Sequence, residues 1–211
     1  MTIRSMQALE DFGRTRLSPN FYMRDFLYSE ISAFFGVPNI PEDPDTALLA
    51  ARGLCETLLE PLSEAFGKIS IRSGYRSPTL NAFGNDRKLN CGSNAYNRAQ
   101  HIYDHRDEAG RLGATATIVV NRFADLYEET RDWRPLAWFI HDLLPYHSMY
   151  FFPKLAAFNL NWNEACGRLW IKSYAQPRGL LTKIGMENYD GSHEAAYDFP
   201  LFHEAKRRLV G

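Results

Sequence analysis

Residues 69–81, Ile-Ser-Ile-Arg-Ser-Gly-Tyr-Arg-Ser-Pro-Thr-Leu-Asn, constrain the fold more than any other run. Ile69, Ser70, Ile71 and Arg72 alternate apolar with polar, the period of a half-buried strand. Gly74 breaks the strand, and Ser77-Pro78 supplies a helix cap followed by a proline at the first helical position. The chain must therefore run strand, tight corner, helix, and the corner delivers the polar tips of Ser73, Tyr75 and Arg76 to one sheet edge. A guanidinium held by a rigid strand end is suited to gripping a carboxylate with two parallel hydrogen bonds.

The rest of the chain supplies helices first and strands later. Phe21, Phe26, Leu27, Ile31 and Phe34 recur at helical spacing up to the proline-rich stop at residues 36–41. A longer helix is expected over 45–66, capped by Asp45, with Leu48, Leu49, Leu54, Leu58, Leu59 and Leu62 on its apolar face and a kink or break at Pro61. Strands are expected at 114–120, 148–152, 157–162 and 168–174, with helices over 134–144 and 200–209. Residues 83–112, rich in Asn, Asp, Arg, Gly and His, read as an irregular loop of the kind that is functional or mobile. The expected class is α+β, with helices on one face of a mainly antiparallel sheet whose central strand is 69–71, beside or paired with 114–120. The division is a polar lead-in over 1–16, a domain over 17–178 and an appendage over 179–211.

With 45% hydrophobic and 14% aromatic residues the chain can bury a real core. Its 24 basic and 25 acidic residues leave a net charge of -1, without an overall drive toward nucleic acid or anionic membrane. Three widely spaced cysteines, Cys55, Cys91 and Cys166, argue against a disulfide scaffold or zinc finger and read as buried thiols. No run approaches the ~20 apolar residues of a membrane span, and the charged first 16 residues hold no signal-type apolar core, so a cytoplasmic protein is expected.

Several pieces together resemble the zinc D-alanyl-D-alanine carboxypeptidases and endopeptidases, which share a fold with the hedgehog signalling domain. They are Leu17 to Phe21, Ser73 to Asn81, Cys91-Gly92-Ser93, Gln100-His101 and Gly113 to Ile118. The resemblance implies zinc held by a His, by an Asp seven positions later and by a His on a late strand. It also implies that Arg76 helps to bind peptide. His101 matches the first ligand. The Asp position falls on Thr117, sixteen places on, so residues appear inserted between the two. The late His falls on Lys172, or on Asn159 or Asn161 in another alignment. Threonine and protonated lysine are poor zinc ligands.

The preferred expectation is thus a peptidase-derived domain that binds a carboxylate-bearing peptide or protein without catalysis, through Ser73, Tyr75, Arg76, His101 and Lys172, with no cofactor. It is structural or phage-derived in setting, and released in a virion or at lysis if so. Lys172 would then stand in for the metal's positive charge beside Arg76. The alternative is an active metallopeptidase on peptidoglycan stem peptides, with zinc or another metal held by His101, Asp104, His105 and Asp107 in the inserted loop. Tyr146, Tyr150, Phe151, Phe152, Phe158, Trp162, Trp170 and Tyr174 read as core, some of them lining a groove.

Overall fold

A computed structural model describes residues 3–165 and 167–210; Cys166 lies outside the described residues. The first third is helical: α1 (Met6–Gly13), α2 (Arg24–Leu27), α3 (Glu30–Phe35), α4 (Pro44–Leu54) and α5 (Glu60–Phe66). The cap of α4 is Asp43 rather than Asp45, because Pro44 takes the first helical position and Asp43 accepts the Thr46 N–H at 3.2 Å. The break expected at Pro61 is present as a π-helical turn, Cys55–Leu59. Proline has no N–H for the preceding turn, and the wider spiral absorbs the missing bond.

The strands are β1 (Ile69–Ser73), β2 (Gly113–Val120), β3 (Ser148–Phe151), β4 (Phe158–Asn163), β5 (Trp170–Ser173) and β6 (Gly179–Lys183). Between and after them come α6 (Pro78–Asp86), α7 (Asn94–Asn97), α8 (Asn121–Thr130), α9 (Arg134–Leu143) and α10 (Pro200–Val210). They form one mixed sheet in the order β1-β2-β4-β3-β5-β6, antiparallel except where β3 and β5 run parallel. The 69–71 run does pair with 114–120, but β1 is an edge strand, and the interior belongs to β2, β4, β3 and β5. Residues 179–210 are not an appendage: β6 pairs with β5, and Phe202 of α10 is buried against Phe66, Phe123 and Phe139.

The two faces of the sheet differ because each strand alternates. Ala114, Ala116, Ile118 and Val120 of β2, Phe158 and Leu160 of β4, Met149 and Phe151 of β3, and Ile171 of β5 point into the core. Helix α4 packs on this face, where Gly53 makes room for the Trp162 ring; a Cβ at Gly53 would lie 2.3 Å from that ring. The opposite face carries Thr115, Thr117, Asn159, Asn161, Ser148, Tyr150, Trp170 and Lys172. No helix among the described residues is long and apolar enough to cross a membrane.

Candidate functional site

The open face becomes a site because residues 96–101 roof one end of it. An asparagine network fixes this roof. Asn81 donates to Gly92 O and Asn94 Oδ1 at 3.0 and 2.8 Å, and Asn97 donates to Asn81 Oδ1 at 2.9 Å. The roof is then tied to the sheet: Thr115 donates its N–H to Gln100 O at 3.0 Å and its hydroxyl to Gln100 Oε1 at 2.8 Å. Gly113 lets the two chains approach, since a Cβ there would lie 2.3 Å from Ala99 O. This part of the expected irregular loop is therefore ordered by specific bonds.

Roof and sheet enclose a cavity of about 280 Å³ lined by Gln100, His101, Ser148, Tyr150, Asn159, Asn161, Trp170 and neighbouring aromatic residues. That is just below the usual range for pockets holding a drug-sized ligand, and suits one terminal residue or side chain. His101 is 5% exposed. Its Nδ1 lies 2.7 Å from Gly74 O, and a carbonyl only accepts, so Nδ1 carries the proton. Burial, helped by the nearby Arg76 guanidinium, holds the imidazole down to about 3. The ring is therefore neutral, with Nε2 an unprotonated acceptor that makes no hydrogen bond among the described residues. Asn161, 1% exposed, directs its Nδ2 toward Ala99 O, Ala114 O and Thr115 Oγ1 at 3.2, 3.1 and 2.9 Å. Its Oδ1 is buried without a partner among the described residues.

The expected site residues divide. Arg76 lies beside His101: its main-chain N–H donates to His101 O at 2.8 Å, and Nη2 donates to Ser73 Oγ at 3.3 Å. Lys172 is exposed, with Nζ 4.7 Å from the Trp170 ring centroid. Neither cation makes an ion pair among the described residues. They do not meet at one point, because the row Ser73, Thr117, Asn159, Tyr150, Lys172 crosses the sheet in four strand steps, about 19 Å at the usual strand spacing. Tyr75 is not a site residue. It is wholly buried, edge-on to Tyr103, and donates to Asp104 Oδ2 at 3.1 Å.

Apart from His101, the residues of the alternative metal loop are each bonded elsewhere. Asp104 Oδ2 accepts the Glu42 and Asp43 N–H groups at 2.7 and 3.3 Å, and burial raises its carboxyl above the usual range. His105 Nε2 faces Glu42 at 3.3 Å, and Asp107 pairs with Arg111 at 3.0 Å. No three His, Cys, Asp or Glu side chains converge on a metal position among the described residues. At the positions the resemblance marks, Thr117 gives its hydroxyl to Asn159 Oδ1 at 2.6 Å and Lys172 presents an ammonium. One imidazole, one hydroxyl and one ammonium are not a donor set that fits zinc.

Sequence reasoning named the aromatic half without assigning its faces. Strand alternation separates it: Tyr150, Phe152, Trp170 and Tyr174 line the cavity, while Tyr146, Phe151 and Phe158 are buried in the core. Gln100 and Asn161 stood in the sequence only as positions of the resemblance, beside His101 and at a place of the late His; their bonds to Thr115 become visible in the fold. Comparison with protein-family models, with curated proteins and with solved structures finds no match for this chain.

Proposed function

We propose that this protein binds an extended peptide or protein segment ending in, or carrying, a carboxylate, on the open face of its sheet and without catalysing a reaction on it. The observation that carries this reading is the neutral imidazole of His101 in the cavity lining, whose Nε2 makes no hydrogen bond among the described residues. A peptide brings the N–H group that Nε2 lacks, a hydrogen bond worth about 1 kcal/mol. The carboxylate goes to Arg76, which has no acidic partner among the described residues and stands at the roofed end beside His101. Tyr150, Trp170 and Tyr174 supply flat apolar walls, with Lys172 at the far side. Descent from the zinc D-alanyl-D-alanine peptidases, with the metal lost and the anion-gripping arginine kept, accounts for the motif around Arg76. A cytoplasmic or phage-derived setting belongs to the same proposal.

The test compares peptides ending in Ala-Ala, in L and D forms, as free acids and as amides, by calorimetric titration. The free acid is expected to bind about tenfold more tightly than the amide, the worth of one charge-assisted hydrogen bond. Arg76→Ala is expected to erase that difference. Equal binding of acid and amide would overturn the proposal. Hydrolysis of a D-Ala-D-Ala peptide that a chelator stops would install the metallopeptidase in its place.

A further inference from the structure

A second depression lies on the same face, at the other end of the strands. It is a cleft of about 760 Å³ lined by Arg72, Val119, Phe152, Lys154, Leu155 and, at the end of α8, Glu128 and Arg131. Its floor is apolar. Its rim holds three cations, of which Arg131 pairs with Glu128, while Arg72 and Lys154 make no ion pair among the described residues. The register slips between Ile71 and Ser73, so that Arg72 is an extra residue on the edge strand, and it lines the cleft together with Val119. A bulge of this kind re-aims a side chain that regular pairing would place elsewhere.

The cleft adjoins the cavity already described. Phe152 lines both. Val119 and Ala157 continue the open-face rows of Thr117 and Asn159. Arg76 is bonded to Ser73, which pairs with Thr117, and from Thr117 to Val119 along β2 is two residues, about 7 Å at the rise of an extended strand. An extended peptide with its carboxylate at Arg76 would therefore reach this cleft about two residues upstream.

We infer that the cleft is a second subsite of the same ligand, taking a bulky apolar side chain next to an acidic one about two to three residues before the terminal residue. The inference rests on the peptide-binding reading above. The apolar side chain lies on Val119, Phe152 and Leu155, and the acid meets Arg72 and Lys154. The charge on the rim selects an acidic neighbour, since a basic one would add to two cations that lack partners.

The probes are synthetic peptides titrated calorimetrically into the whole protein: Ac-Ala-Ala-OH as the short form, the same peptide extended at its N-terminus by Glu-Phe, and one extended by Lys-Gly. The Glu-Phe peptide is expected to bind at least about tenfold more tightly than the short form, the effect of burying one large apolar side chain. The Lys-Gly peptide should gain nothing. In the exposed-site double variant Arg72→Glu, Lys154→Glu the Glu-Phe gain should vanish while the short form binds as before. Equal affinity of all three peptides, with the acid still preferred over the amide in the short form, overturns the second subsite and leaves the first standing. Loss of the acid preference as well overturns both. A Glu-Phe gain that survives the double variant places the extension elsewhere and also overturns the inference.

Discussion

His101 should make the protein acid-sensitive in a way that a substitution can isolate. An imidazole with an ordinary value near 6.5 is held at about 3 when folded, so the folded state binds fewer protons than the unfolded chain between those limits. The sign follows directly. Above pH 6.5 both states carry neutral His101 and the site costs nothing. As pH falls below 6.5 the unfolded chain gains a proton that the folded protein refuses, and stability declines until pH 3. At ~1.4 kcal/mol per pH unit, two units of descent to pH 4.5 remove about 3 kcal/mol, and the full interval about 5 kcal/mol. Against a typical total of ~5–15 kcal/mol, that is a large fraction. Carboxylates held low, such as Glu60 and Asp107, also lose stability as pH falls, so the wild type alone is not diagnostic. The comparison is with His101→Asn, whose amide can donate to the same Gly74 carbonyl and does not titrate. The assay is urea unfolding at intervals from pH 7 to 4.5. The variant is expected to be less stable than the wild type at pH 7 and to close the gap by about 3 kcal/mol at pH 4.5. Parallel stability curves for the two proteins would refute the buried neutral imidazole, and with it the acceptor assigned to Nε2.

Two further outcomes follow from the site's supports. Gly74→Ala would place a Cβ 2.8 Å from Phe26 Cα and 2.9 Å from its carbonyl oxygen, against backbone already pinned by the Tyr75 N–H to Phe26 O bond. It should cost ~2–3 kcal/mol, seen as a melting temperature lower by roughly 8 °C, and an unchanged melting point would show that the corner is slack. Asp104→Ala leaves two main-chain N–H groups and the Tyr75 hydroxyl without an acceptor and should cost about 3 kcal/mol, whereas Asp104→Asn keeps an acceptor, removes a buried charge and should cost less than half as much. Equal losses in denaturant unfolding would mean that the fold uses the charge rather than the acceptor.

What was legible in the sequence was whatever a single periodicity encodes. β1 through β5 announce themselves by β-branched or alternating runs, and α9 and α10 by apolar stripes. β6 escaped because it is an edge strand with Leu180 and Lys183 both in solvent, so burial writes no alternation into it. Helix α8 escaped because it leaves β2 directly at Val120, without a capping side chain to mark its start. Tyr75 reads as a site residue because a polar tip at a strand end looks the same whether it faces a ligand or a buried partner, and Asp104 reads as a metal ligand because a carboxylate near histidines looks the same whether it meets a metal or main-chain N–H groups. That the aromatic half supplies core was legible. Which ring belongs to the core and which to the groove depends on the side of the sheet α4 covers, a property of tertiary packing.

The aromatic contact between α5 and α10 has a bearing on how the chain is made. Phe66 and Phe202 stand 136 positions apart, with ring centroids 5.7 Å from one another. A ribosome that has finished all six strands has still not produced the side chain that covers Phe66, Phe123 and Phe139. Synthesis proceeds from the N-terminus, so these rings wait uncovered while the intervening residues are added. Closure of the core is therefore a late event, and the nascent chain carries a sticky aromatic patch until α10 arrives. A stalled or prematurely released chain lacking α10 would expose that patch throughout its lifetime, a ready substrate for chaperones and proteases.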